Sequence, residues 1–306
     1  MSGRADPLRW TIGLVGYGEV GRILAEDLRA RGVTSVQAYD IKQGGPDGAP
    51  LRAHAGCHGV RLAAAHAELA AQSDLIVSAV TASQAVAVAE ACAPRLRSGA
   101  WFLDFNSASP GAKIRAAQRV EAGGGRYVEG AVMTSVPPYR IRVPLLLGGP
   151  HAATLAPLLD VLGFAAKAGP EKLGVASATK MCRSVMIKGL EAMVIESFTA
   201  ARAWGVEDAV LASLAETFPG IDWEQQGAYF FQRVIQHGRR RAEEMREVAQ
   251  TVREAGLTPW SAAGSAERQA WVADLADAGR FGDSHAARKD WRADADKMLA
   301  AIKTAS

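Results

Sequence analysis

The chain changes its pattern of apolar and polar positions about halfway along. Up to about residue 168, short apolar runs alternate with stretches of helical period. The runs are Trp10 to Val15, Val33 to Tyr39, Asp74 to Val80, Ala100 to Phe105, Arg126 to Glu129, Val143 to Leu147 and Phe164 to Lys167. Runs this short, bounded by turn-forming residues, read as buried strands. Between them, Val20 to Leu28 and residues 84–93 and 111–122 carry helical periodicity. Such alternation predicts a doubly wound, mostly parallel sheet. After about residue 170 the strand signals stop. A long helix is expected from about Lys172 to Trp204, followed by helices over 207–217, 225–255, 260–277 and 286–303. The expected fold class is therefore α/β over residues 1–168, followed by an all-helical domain over 169–306. Five of the seven tryptophans (Trp204, Trp223, Trp260, Trp271 and Trp291) fall in the helical half, where they are expected to anchor a core or a subunit interface.

Composition narrows the function classes. The 306 residues are enough for two domains with a sizeable core each, and 49 % hydrophobic with 22 % charged residues is an ordinary globular balance. A net charge of +3 is too small to argue for a nucleic acid or an anionic membrane as partner. The three cysteines, Cys57, Cys92 and Cys182, are widely spaced and odd in number. They read as reduced thiols of a cytoplasmic protein rather than as a disulfide framework, and no metal site is expected. The start, MSGRADPLRW, has no apolar core of a signal peptide. The most apolar long stretch, Leu75 to Ala93, is interrupted by Ser78, Thr81, Ser83, Gln84 and Glu90, unlike a membrane span.

The first strand runs into IGLVGYGEVG, residues 12–21. Gly16-x-Gly18-x-x-Gly21 is weak alone, but here it lies at a strand-to-helix turn, where each glycine has a task. Gly16 permits the tight turn, Gly18 lets a pyrophosphate approach the backbone, and Gly21 lets the helix pack close to the strand. The free N–H groups of the helix start then face the phosphates. The loop Gly16, Tyr17, Gly18, Glu19, Val20 and Gly21 is thus a candidate dinucleotide cradle, with the Glu19 side chain turned to solvent. The second strand ends on Asp40, near the place about 20 residues on where this fold sets an acid against the adenosine ribose. An acid there repels the extra phosphate of NADP, so NAD is the expected cofactor and NADP the lesser candidate. As an alternative, Asp40 is only a turn residue leading into the Gly44-Gly45-Pro46 loop.

Ligands of such sheets bind beyond the strand C-termini. Those ends carry Val80-Thr81-Ala82-Ser83, then Asp104-Phe105-Asn106-Ser107-Ala108-Ser109-Pro110, then Gly130-Ala131-Val132-Met133-Thr134-Ser135. All are small and polar where a strand gives out, and turn formation or helix capping explains them as well as ligand contact does. On the long helix, Ser177, Lys180, Ser184, Lys188 and Glu191 recur at spacings of three and four, one face of an otherwise apolar segment. A solvated stripe, with Lys188 paired to Glu191, is one reading. The other makes Lys180 an acid/base, its pKa drawn down from about 10.4 by partial burial and by Arg183, with Ser184 one turn on to orient a substrate.

These residues together resemble the β-hydroxyacid dehydrogenases, the family of 3-hydroxyisobutyrate dehydrogenase, tartronate semialdehyde reductase and 6-phosphogluconate dehydrogenase. The family's cofactor motif matches Gly16, Gly18, Gly21 and Asp40. Its Asp-x-Ser-Thr-x-x-Pro substrate loop is similar to Asp104 through Pro110, and its Gly-x-x-x-x-x-Lys helix to Gly174 through Lys180. The resemblance implies a Rossmann-type domain followed by a helical domain that forms a homodimer, and a hydride exchanged between NAD and a small hydroxy or oxo acid. It implies Lys180 as catalytic residue with Ser184 beside it. Val80, Thr81 and Asn106 would join the cradle in holding the cofactor. Ser107, Ser109, Met133, Thr134 and Ser135 would line the substrate.

The chain departs from the family at the substrate. Ser184 stands where the family has Asn, and Met133-Thr134-Ser135 replaces its Ser-Gly-Gly segment. The late Lys-Asp pair is replaced by His237-Gly238-Arg239-Arg240-Arg241-Ala242-Glu243-Glu244-Met245, as in a subgroup whose helical domain has no assigned function. That run reads as a solvated amphipathic helix, or as the place from which Arg240 or Arg241 pairs with a substrate anion. A nucleic-acid patch is disfavoured by Glu243 and Glu244. Two other functions stay open: an imine reductase-like enzyme, against which Lys180 argues because those enzymes usually place another residue there, and a non-catalytic NAD-binding sensor or scaffold.

Overall fold

A computed structural model describes residues 6–46, 48–282 and 290–305. Eight strands form one sheet in the order β3-β2-β1-β4-β5-β6-β7-β8. These are β1 (Thr11–Val15), β2 (Ser35–Tyr39), β3 (Arg61–Leu62), β4 (Leu75–Ser78), β5 (Trp101–Asp104), β6 (Arg126–Val132), β7 (Leu145–Gly148) and β8 (Ala166–Ala168). The strands from β3 across to β6 pair in parallel; β7 runs antiparallel to β6, and β8 parallel to β7. The chain leaves β1 toward β2 on one side and later returns to β4 on the other, so the topological switch point lies between β1 and β4.

Side-chain alternation along the strands sorts the helices onto two faces. Ile12, Leu14, Leu75, Val77, Trp101 and Leu103 pack under α1 (Glu19–Ala30), α2 (Gly48–Cys57) and α7 (Ala152–Val161). Val15, Ile76 and Phe102 point the other way, under α3 (His66–Gln72), α4 (Ala85–Cys92) and α5 (Pro110–Ala122). Strands covered on both faces bury every residue, as β4 and β5 do, which is why they read as unbroken apolar runs. A single turn, α6 (Val136–Tyr139), follows β6.

Beyond Ala168 the described elements are helical: α8 (Val175–Trp204), α9 (Glu207–Thr217), α10 (Trp223–Glu254), α11 (Trp260–Asp277) and α12 (Trp291–Ala305). The expected last helix began at 286, and residues 286–289 lie outside the described ones. By compactness the chain divides into two units, up to Lys180 and from Met181, so the division falls inside α8. The second unit has its own core, in which Phe198, Phe231 and Val234 pack with Trp291 and Met298. Trp291 also donates from Nε1 to Glu224 at 3.0 Å. The tryptophans split in role: Trp223 and Trp291 are buried, whereas Trp204 and Trp260 are 83 % and 81 % exposed. Among the described residues no helix is long and apolar enough to cross a membrane.

Candidate functional site

The glycine loop joins β1 to α1 at the switch point, and its three glycines meet different surroundings. Gly16 has φ +89°, and a Cβ there would lie 2.3 Å from the Ala79 carbonyl oxygen. A Cβ on Gly21 would lie 2.1 Å from the Gly16 carbonyl oxygen, so α1 packs onto the turn only without one. A Cβ on Gly18 would meet nothing within 4 Å. The loop therefore needs glycine at 16 and 21 for its own shape, while the space beside Gly18 is open. Gly18 also caps α1 without a side-chain bond, so no capping side chain occupies the first-turn N–H groups of the helix. Glu19 is exposed. Tyr17 turns its ring into the core, and what it offers the loop is its backbone.

Asp40 is tied to that loop. Its Oδ2 accepts from the Tyr17 backbone N–H at 2.8 Å, and its Oδ1 accepts from the Lys42 N–H at 2.9 Å. Two backbone donors fix the carboxylate's orientation, and each oxygen keeps a lone pair for a further donor such as a ribose hydroxyl.

The neighbouring strand ends are cross-linked from within. Asn106 Oδ1 accepts from the Val80 N–H at 2.7 Å, and its Nδ2 donates to Ser78 Oγ at 3.0 Å. The Asn106 amide thus joins the end of β4 to the loop after β5. Asp104, wholly buried, starts that loop. It accepts from Tyr127 Oη at 2.7 Å and from the Asn106 N–H at 2.9 Å, and pairs with Lys113 Nζ at 3.0 Å. Lys113 is 1 % exposed and also donates to the Asp104 carbonyl at 2.9 Å. Burial first, and the Asp104 charge next, push the Tyr127 phenol well above its ordinary range. Ser109 caps α5 ahead of Pro110, accepting from the Ala112 N–H at 3.4 Å. Thr81 is exposed and lies 3.3 Å from Ser83 through their hydroxyls.

The start of α8 is held to the sheet by Glu129, a fully buried carboxylate in β6. Its Oε2 accepts from the Gly174 N–H at 2.7 Å, and its Oε1 accepts from the Ser177 N–H. One turn along, Lys180 Nζ donates to Ser107 Oγ at 2.5 Å. The structure thus brings together Lys180 and Ser107, 73 positions apart in the chain, in the unit that carries the glycine loop. Met133 and Ser135 are half-buried and Thr134 is exposed, at the end of β6.

Ser184, Arg240 and Arg241 belong to the helical unit. Ser184 is buried. Lys188 pairs with Glu244 on α10, where the solvated-stripe reading paired it with Glu191 on its own helix. Glu191 instead lies 3.0 Å from Arg241, which is 5 % exposed. Arg240 stays exposed and reaches Glu244 at 3.0 Å. The helical stripe thus continues across two helices, where the reading from spacing kept it on one.

Glu129, Lys113 and Tyr127 were not singled out from the sequence. A signal existed for Glu129, because an acid inside an otherwise apolar strand needs a buried partner.

The NAD-binding domain model of 6-phosphogluconate dehydrogenase matches residues 11–167, and a domain of unknown function (DUF1932) matches residues 201–272. A conserved hypothetical protein from Sinorhizobium meliloti 1021 is 36 % identical, with a TM-score of 0.75 over 95 % of this chain and 96 % of its own. The conserved protein MTH1747, of unknown function and described as similar to 3-hydroxyacid dehydrogenases, is 27 % identical with a TM-score of 0.66, covering 87 % and 99 %. The fold alone is shared with 3-hydroxyisobutyrate dehydrogenase from Mycobacterium tuberculosis, at 17 % identity and a TM-score of 0.62 over 95 % and 99 %. It is shared likewise with an imine reductase from Myxococcus stipitatus, at 20 % and 0.51 over 88 % and 95 %.

Proposed function

Since the chain belongs to the oxidoreductase family that carries the NAD-binding domain of 6-phosphogluconate dehydrogenase, we propose that it is an NAD-dependent dehydrogenase or reductase of a small hydroxy or oxo acid, with Lys180 as general acid/base. The observation that carries this reading is the Lys180–Ser107 pair. An amine and a hydroxyl at hydrogen-bond distance are the two groups needed to hold a substrate oxygen and to move its proton.

Gly16, Gly18 and Gly21 with the first turn of α1 would take the pyrophosphate, and Asp40 the ribose hydroxyls. A nicotinamide, when bound, exchanges a hydride with the substrate carbon. The chain's own part is the proton. In the oxidising direction Lys180 Nζ, unprotonated, accepts the proton of the substrate hydroxyl; in the reducing direction the ammonium returns it to the oxygen. Ser107 Oγ holds that oxygen by a hydrogen bond and fixes the lysine's approach. Ser109, Met133, Thr134 and Ser135 are assigned to the substrate's side, as is Ser184, one turn beyond Lys180.

Turnover followed by NADH absorbance, against small hydroxy acids, sugar acids, phosphorylated acids and cyclic imines, tests the reading. Activity on an acid is expected, and Lys180→Ala should lower kcat by about 10²–10⁴ while leaving NAD affinity intact. Near-normal kcat in Lys180→Ala would remove the lysine from the chemistry, and turnover of imines alone would replace the substrate class.

A further inference from the structure

A second group of reactive side chains sits where α1 meets α2. His54 on α2 and His58, the residue after its last, stand four apart, with ring centroids 4.4 Å apart and planes 26° from parallel. Glu26 faces them from α1. His54 Nε2 is 2.8 Å from Glu26 Oε1, and one ligand atom of each of the three residues lies within 4.8 Å of the other two. All three are half-buried.

We infer that Glu26, His54 and His58 form a binding site for a divalent transition metal of the zinc class, with the remaining position open to water. Two imidazoles and one carboxylate are a donor set that zinc accepts. At Zn–N and Zn–O lengths of about 2.0–2.2 Å, tetrahedral ligands sit about 3.3 Å apart. From ligand atoms within 4.8 Å of one another, reaching that spacing requires the His54–Glu26 contact to open and the His58 ring to turn out of its stack on His54. The outer contacts suit the task. His54 Nδ1 lies 2.9 Å from Tyr17 Oη, so with a metal on Nε2 the ring keeps Nδ1–H and donates it to the phenol oxygen, the orienting contact that metal-bound histidines characteristically have. Glu26 Oε2 accepts from Arg140 Nη2 at 2.7 Å, which aims Oε1 at the imidazoles. The guanidinium charge also opposes a cation, which sets this site below a structural zinc site in affinity. Cys57, exposed between the two histidines in sequence, is not among the three.

The test uses the full chain, stripped with a chelator and titrated with zinc against a chromophoric competitor. One zinc per chain is expected, together with a rise in Tm that grows with zinc concentration. His58→Ala should lower the affinity at least about tenfold and abolish the Tm rise, while its Tm without metal stays that of the unmodified protein. Glu26→Gln should weaken binding in the same direction, and Cys57→Ser should leave it unchanged. The proposal is overturned if the unmodified chain takes up no zinc at micromolar concentration, or if His58→Ala binds as tightly. Loss of binding in Cys57→Ser would overturn the ligand set.

Discussion

At Asp40, two backbone N–H groups hold the carboxylate on the glycine loop, one of them from Tyr17 inside the loop itself. That arrangement supports the NAD preference proposed above, because an oriented acid rewards a ribose hydroxyl and repels a phosphate. Asp40→Ala should narrow the ratio of NADP to NAD dissociation constants in a calorimetric titration. Equal constants in the unmodified protein would mean that the acid does not read the ribose. The same loop carries a pH signature. Burial and the Glu26 charge push the Tyr17 phenol up to about 12, and Tyr127 is raised well above its ordinary range. A tyrosine in the unfolded chain ionises near about 10. A raised folded pKa contributes stability that is complete below that value and is lost as pH climbs through the window from about 10 to 12. Denaturant midpoints measured from pH 9 to 11.5 should therefore fall, and Tyr17→Phe should make the fall shallower. An unchanged slope would show that Tyr17 ionises alike in both states.

Among the elements, the start of α8 depends on one side chain outside it. Glu129 accepts from two N–H groups at the helix start, Gly174 and Ser177, which would otherwise be unpaired in a buried place. In Glu129→Gln one oxygen becomes an NH2 group that cannot accept. One buried donor is then left unmet, at about 1–3 kcal/mol. A lower Tm is expected, with a lower kcat because Lys180 sits one turn on. A Tm equal to that of the unmodified chain would show that the helix start does not need the carboxylate. None of this was legible from periodicity, since a charge inside a strand breaks the apolar pattern without naming its partner. What periodicity did expose were the long runs: β4 and β5, buried at every residue, and the helices α8 to α11. It named no residues for β3, which has only Arg61 and Leu62, nor for α2, whose Gly, Ala and Pro residues give little contrast between faces. Glu26, His54 and His58 were equally hidden, because α1 supplies one member, α2 the second and the turn after α2 the third.

Taken whole, the chain pairs a sheet unit and a helical unit of different surface character. The helical unit exposes Met186, Met193, Trp204, Leu257 and Trp260, large apolar side chains that a lone molecule would leave to water. On this ground we propose that this half forms a homodimer, as the family resemblance implied. Light scattering should give twice the chain mass at micromolar concentration, and Trp204→Ser with Trp260→Ser should shift it toward one. A monomeric mass for the unmodified chain would withdraw the proposal. The fold class was readable from the change of pattern near residue 170, but the place where compactness divides the chain was not, because an unbroken helix crosses it. That crossing has a consequence for descent. A recombination joint at residue 168, where the strands end, would pass Lys180 to an incoming helical half and part it from Ser107. A joint between Lys180 and Met181 would keep amine and hydroxyl on one inherited piece, leaving all that follows free to be exchanged.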